Sequence, residues 1–236
     1  LTAIKGWAET LNGIDDPETV QKGMRVITNE SERLAGMVDE LLDFSRIQNG
    51  RFVLNKEHID ILAELGEAVL IYRDRTRREE IELIYNEPAI LPVVFGDKNR
   101  IRQVFINIID NAIKYTDKGG TITIDAYAQN DEIVIVIADT GCGIPAADLP
   151  KIKTKFFKAN YSQRGSGIGL AVAEEIITMH SGKIFVDSIE GEGTTITITI
   201  PAEQRAETAK PAVEAISTPQ QEAAPQEQDR TSEMEE

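Results

Sequence analysis

Cysteine is almost missing from this chain, with one residue, Cys142, among 236. A lone thiol excludes an internal disulfide framework and leaves the redox compartment open. Basic residues are scarce beside acidic ones, 25 Lys and Arg against 40 Asp and Glu, for a net charge of −15. That balance excludes a nucleic-acid backbone binder, because such affinity comes from cations that neutralise phosphates. No apolar run approaches a membrane span, and no signal-peptide pattern opens the chain. What remains is a 41% hydrophobic composition, enough for one good core with a small helical module beside it.

Hydrophobic spacing divides the chain into three parts. In "LTAIKGWAETL", Leu1, Ile4, Ala8 and Leu11 form one helical stripe already under way at the first residue, as in a chain lacking its N-terminal part. After the loop "NGIDDPET", Asp16-Pro17 starts a second helix, whose Val20, Met24, Ile27, Leu34, Val38 and Leu41 keep a three-four spacing up to Asn49-Gly50. A helix, short loop and long helix predict an antiparallel hairpin over 1–49 that dimerises into a four-helix bundle, although a helix lying on the globular domain has the same pattern.

From residue 50 to 201, "FVLNKEHI", "IELIYNE" and "PVVFGD" read as strands around a helix near Asp60 to Arg78. A helix over Lys98–Tyr115, the strands "TITIDAYA" and "EIVIVIAD", the helix "IGLAVAEEIITMH" and the hairpin "KIFVDSIEGEGTTITITI" follow. This order predicts an α+β chain in which the hairpin precedes an α/β sandwich, with helices on one face of a mixed sheet. Residues 202–236 hold nine acidic against three basic residues and almost no large apolar ones, which predicts a disordered acidic tail.

Three stretches in the middle part carry chemistry. On the Lys98–Tyr115 helix, Ile101, Val104, Phe105, Ile108, Ile109 and Ala112 form a core stripe, and Arg100, Gln103, Asn107, Asn111 and Lys114 form a second, polar one. Amide side chains are poor helix formers, but their oxygens suit a hard cation such as Mg²⁺, which shares its octahedron with water and phosphates. A solvated polar face is the alternative. In "IADTGCGIP" a strand ends in Asp139 and turns through Gly141 and Gly143. That could be an ordinary turn, or a carboxylate placed to accept from the exocyclic amine of a base. In "RGSGIGLAV", Gly165, Gly167 and Gly169 lead into a helix whose amides can hold an anion, without the spacing of a P-loop or a dinucleotide fingerprint.

In order and spacing these pieces resemble the sensor histidine kinases of two-component systems, which have the ATP-binding fold of gyrase, MutL and the heat-shock chaperones. "DKNRIRQVFINIIDNAIKYT" corresponds to the N box, "DTGCGI" to the first glycine box, "TKFFKAN" to the F box, "RGSGIGLAV" to the second glycine box, and "GEGTTITITIP" to the closing strand motif. The resemblance implies ATP and Mg²⁺ as cofactors. Asn111 would bind Mg²⁺ with support from Asn107, Lys114 would contact phosphates, Tyr115 would lie by the base, and Asp139 would accept from the adenine amine. Gly141, Gly143 and Ile144 would shape the base pocket, with Thr194 or Thr195 reaching it through water. Phe156 to Gly169 would form a lid carrying Lys158, Arg164, Gly165 and Gly167 towards the phosphates, with Leu170 beside it. The hydrolytic relatives carry a Glu near Asn107; an amide cannot act as a general base, which suits transfer over hydrolysis.

The resemblance also implies that the phosphoacceptor His lies ahead of Leu1, so no catalytic residue is expected in this chain. His58 and His180 are expected to be structural or surface residues, and Cys142 and Trp7 packing residues. The implied activity is a cytoplasmic protein-histidine kinase that is a homodimer and meets the membrane only through upstream segments. It would pass phosphate on to the receiver Asp of a response regulator. Two rivals are a Ser/Thr protein kinase of the anti-sigma type and a non-catalytic, ATP-binding dimerisation scaffold.

Overall fold

Asp16 starts the long helix by accepting the Thr19 N–H at 3.0 Å, and Pro17 supplies a preset φ at the first helical position. In the computed structural model, which describes residues 1–152, 154, 157 and 167–203, this helix is α2 (Pro17–Gln48), preceded by α1 (Thr2–Leu11). Leu1 lies beside Glu30 and Leu11 beside Gly23, so the pair is antiparallel. Gly23 allows the close approach: a Cβ there would stand 2.7 Å from the Trp7 ring, which gives Trp7 its packing role. On the predicted seam, Met24, Val38 and Leu41 stay exposed in the single chain.

The second layer system begins with α3 (Ile61–Arg78), capped by Asp60, and α4 (Lys98–Tyr115), capped by Asp97. With α5 (Gly169–Met179) they cover one face of a five-stranded sheet. Its strands are β2 (Glu82–Asn86), β4 (Thr121–Gln129), β5 (Glu132–Asp139), β6 (Lys183–Ile189) and β7 (Gly193–Pro201). Their order is β2-β4-β5-β7-β6, with β2 parallel to β4 and every other pair antiparallel. Alternation sends Ile122, Ile124, Ile133, Ile135, Ile137, Ile196, Ile198 and Ile200 inward against Ile101, Phe105, Ile108 and Ile109 of α4. Asn130 and Asp131, both at positive φ, close the β4–β5 hairpin, as a two-residue primed turn needs.

The strand expected over "FVLNKEHI" is only Glu57–Ile59 (β1), and "PVVFGD" forms β3 over Val94–Gly96. These two pair with each other in a small separate sheet. Phe52 lies outside any ladder; its ring is buried in the core cluster with the Arg100 guanidinium 4.6 Å from its centroid. The expected disordered tail falls, from residue 204 on, outside the described residues, as does most of the expected lid. No described helix is long and apolar enough to cross a membrane.

Both histidines have structural partners. His180 is buried where α5 ends; its Nε2 accepts the Asp97 N–H at 2.9 Å and its Nδ1–H donates to the Ile176 carbonyl at 2.7 Å. This tautomer ties α5 to the start of α4. His58 is exposed on β1, 2.8 Å from the Glu203 carboxylate.

Candidate functional site

The polar stripe of α4 splits into two functions. Arg100 and Gln103 grip α2: Arg100 Nη1 is 2.5 Å from the Asp43 carboxylate, and Gln103 Nε2 donates to the same carboxylate oxygen at 3.0 Å. The stripe runs unbroken along α4 but changes partner here, because Asp43, buried on α2, accepts from both Arg100 and Gln103. One turn further on, Asn107, Asp110, Asn111, Lys114 and Tyr115 line a cavity of about 190 Å³. It is closed by Asp139 at the end of β5, the 142–144 turn, Gly167, Gly169 and Leu170 at the start of α5, Thr194 on β7 and Glu40 of α2.

Asp139 ends β5 with its carboxyl partly buried. Burial pushes its carboxyl above the usual range, while the backbone N–H groups of Gly141 and Thr194, at 2.9 and 3.3 Å, work against that by donating to Oδ1. Among the described residues Oδ2 has no hydrogen-bond partner, and it is the acceptor left for a ligand. Gly141 acts from behind rather than lining the cavity, since a Cβ there would collide with the Tyr115 carbonyl. Gly143, at φ +63, leaves no room for a Cβ against the Ile189 carbonyl. The turn is locked to the β6–β7 hairpin by Gly191 N–H donating to Cys142 O at 2.8 Å and Ile144 N–H donating to Ser188 Oγ at 2.9 Å.

Lys114 donates to the Tyr115 hydroxyl at 3.0 Å and lies 4.6 Å from its ring centroid, so cation and aromatic face the cavity together. Asn107 Nδ2 donates to the Gly169 carbonyl at 3.2 Å, linking α4 to the start of α5 and leaving its oxygen for another partner. The Asn111 amide has no hydrogen-bond partner among the described residues. Among the described residues no side chain caps α5, in contrast to α2, α3 and α4, which suits an anion at that end. Among the described residues no group of three His, Cys, Asp or Glu side chains could hold a metal alone. The amide oxygens of Asn107 and Asn111 are a donor set that would fit Mg²⁺, an ion that fills the rest of its octahedron with phosphate and water.

Of the expected site residues, Asn107, Asn111, Lys114, Tyr115, Asp139, Gly143, Ile144, Gly167, Gly169, Leu170 and Thr194 line this one cavity. Thr195 does not: it pairs with Ala138 and Asp187 on β7 one step out of phase, so strand alternation turns it to the other face. Lys158, Arg164 and Gly165 lie outside the described residues. Cys142, expected to pack, is exposed at the cavity. Sequence reasoning missed Asp110, which helical spacing from Asn107 could have found. It also missed Glu40 and Ser188, which no local pattern distinguishes.

Residues 96–204 match the family described as histidine kinase-, DNA gyrase B-, and HSP90-like ATPase, and residues 1–50 match the His Kinase A (phospho-acceptor) domain. The chain belongs to the sensor histidine kinases. It is 34% identical over 216 residues to sensor histidine kinase WalK of Bacillus subtilis (strain 168), covering 88% of this chain and 35% of WalK. It thus spans about a third of that relative's length. Among solved structures it is similar to the histidine kinase AdeS of Acinetobacter baumannii, at 28% identity and TM-score 0.64 over 86% of this chain and 94% of that one. It is also similar to histidine kinase ThkA in complex with response regulator protein TrrA, at 29% identity and TM-score 0.66, covering 86% and 57%. Within this kinase family the cavity, built from the N box and both glycine boxes, occupies the matched ATPase region apart from the wall supplied by Glu40.

Proposed function

We propose that this chain is the ATP-binding core of a protein-histidine kinase, which binds Mg·ATP in the α4–α5 cavity. It transfers the γ-phosphoryl group to a histidine nitrogen, releasing ADP. The carrying observation is convergence: Asn107, Asn111 and Lys114 from one helix face the Asp139 carboxylate across a single cavity. Asp139 would accept from the adenine amine, Lys114 would contact phosphate, and Asn111 with Asn107 would hold Mg²⁺, which when bound neutralises phosphate charge. The Asn107 amide cannot take up a proton as a general base, so transfer rests on positioning and charge stabilisation.

On this proposal residues 1–49 are the dimerisation and phosphoacceptor hairpin, 50–201 the ATP-binding domain and 202–236 an acidic tail. The exposed Met24, Val38 and Leu41 favour a homodimer through the hairpin. Residues 1–50 contain no histidine, so on this proposal the acceptor is a histidine outside them. A receiver domain's Asp would take the phosphate in turn, in the cytoplasm. Calorimetry with Mg·ATP tests the site: Asp139→Ala should weaken binding by roughly tenfold or more, the loss of a matched charged hydrogen bond. Equal affinity in the two proteins removes Asp139 from base recognition. Acid-labile, alkali-stable label from γ-labelled ATP on an added histidine-bearing acceptor helix, passed on to a receiver, tests the transfer.

A further inference from the structure

Ser188, on β6 and behind the cavity wall, makes three hydrogen bonds through one hydroxyl. Its Oγ accepts the Ile144 N–H at 2.9 Å, donates to the Gly193 carbonyl at 2.7 Å, and lies 2.9 Å from Thr194 Oγ1. A serine hydroxyl has one proton and two lone pairs. The Gly193 carbonyl can only accept, so the Ser188 proton is committed there. One lone pair takes the Ile144 N–H. The remaining contact is then completed by the Thr194 proton, donated to the second lone pair of Ser188.

The consequence is at the cavity. Thr194 lines it, and its only proton is turned away into the wall, so towards a ligand Thr194 Oγ1 presents lone pairs alone. Asp139 is next to it: the Thr194 N–H donates to Asp139 Oδ1. Asp139 and Thr194 therefore both face this end of the cavity as acceptors, and neither offers it a side-chain proton. It suits a ring that brings an exocyclic amine and disfavours one that brings a carbonyl oxygen to the same edge.

We infer that Ser188 is a specificity-determining positioning residue, which fixes the polarity of the Thr194 hydroxyl and so makes the cavity prefer an amino-purine to an oxo-purine nucleotide. This rests on the nucleotide-binding function proposed above. Ser188 does not line the cavity; it acts through Thr194 and through the Ile144 turn. A merely structural serine would loosen the turn and weaken every purine nucleotide alike.

The test compares Mg·ATP with Mg·ITP, in which an oxygen replaces the exocyclic amine, by calorimetry on the 236-residue chain. Ser188→Ala frees the Thr194 proton to donate into the cavity, and the preference for ATP over ITP should narrow by roughly tenfold, one hydrogen bond turned from mismatched to matched. Ser188→Thr, which keeps the hydroxyl, should hold the preference near the unaltered value. In a Thr194→Val background, Ser188→Ala should no longer change the ratio. If Ser188→Ala lowers both affinities equally, or changes the ratio as much with Val at 194, the inference is overturned while the nucleotide site stands. If the unaltered chain binds no ATP, the proposed function and the inference both fail.

Discussion

The grip of α4 on α2 can be measured through Asp43. Its carboxylate is 6% exposed and takes a guanidinium N–H of Arg100 at 2.5 Å and the Gln103 amide at 3.0 Å. Asp43→Ala leaves both donors without that acceptor. Removing one partner of a fully buried ion pair costs about 3–5 kcal/mol. Arg100 keeps 26% of its side-chain surface in water and still stacks on Phe52 at 4.6 Å, which lowers the expected loss to about 2–3 kcal/mol. Arg100→Met removes the charge that would be stranded, so adding Asp43→Ala to it should cost about 1 kcal/mol, for a coupling of about 1–2 kcal/mol. Urea unfolding of the unaltered protein, the two single variants and the double variant gives the cycle. A coupling below about 0.5 kcal/mol would refute the view that this carboxylate fastens the hairpin to the ATP-binding layers.

Three further outcomes are expected. Asn111→Ala should reduce the gain in ATP affinity that Mg²⁺ confers by at least about fivefold, measured as the ratio of affinities with the metal and with chelator; an unchanged ratio removes Asn111 from the metal. Gly143→Ala sets a Cβ against the Ile189 carbonyl at positive φ and should lower stability by more than about 2 kcal/mol, whereas Gly191→Ala, with open space around its Cβ, should lose only about 1 kcal/mol, as thermal unfolding would show. His180 is neutral and buried, with its pKa lowered chiefly by burial. The unfolded chain therefore takes up this proton first, and stability should be full above the ordinary histidine value of about 6.5 and fall as pH drops below it. His180→Gln should flatten that part of a pH–stability profile, and an unchanged slope would count against the buried neutral tautomer.

The fold was legible where a period extends over many residues. The α4 stripe of Ile101, Val104, Phe105, Ile108, Ile109 and Ala112 and the Ile-rich strands β4, β5 and β7 state their burial in sequence, because side chains repeat every 3.6 or 2 positions whatever they pack against. Phe52 shows the limit. An apolar residue among β-formers reads as strand, but Phe52 is buried in the core cluster without a ladder, and the cation that stacks on its ring is 48 positions away.

The site divides along the same line. Asn107, Asn111 and Lys114 could be placed together because one helix spaces them, and Asp139 and Gly143 because a strand end and a tight turn must be adjacent. Periodicity could not say where the polar stripe changes its partner: Arg100 and Gln103 continue it in sequence, yet Asp43 claims both. The choice between Thr194 and Thr195 was open for a related reason. Either hydroxyl could serve, and only the β7 register, with Thr194 opposite Asp139 and Thr195 opposite Ala138, turns one of them to the cavity. Ser188 was out of reach for sequence altogether. Its role depends on which neighbour its single proton meets, and those neighbours, Ile144, Gly193 and Thr194, are joined only when the turn after β5 closes on the β6–β7 hairpin. Local pattern therefore identifies the groups that would touch a nucleotide, while the groups that orient them follow from strand pairing, which is where substitutions with selective effects on base preference are expected.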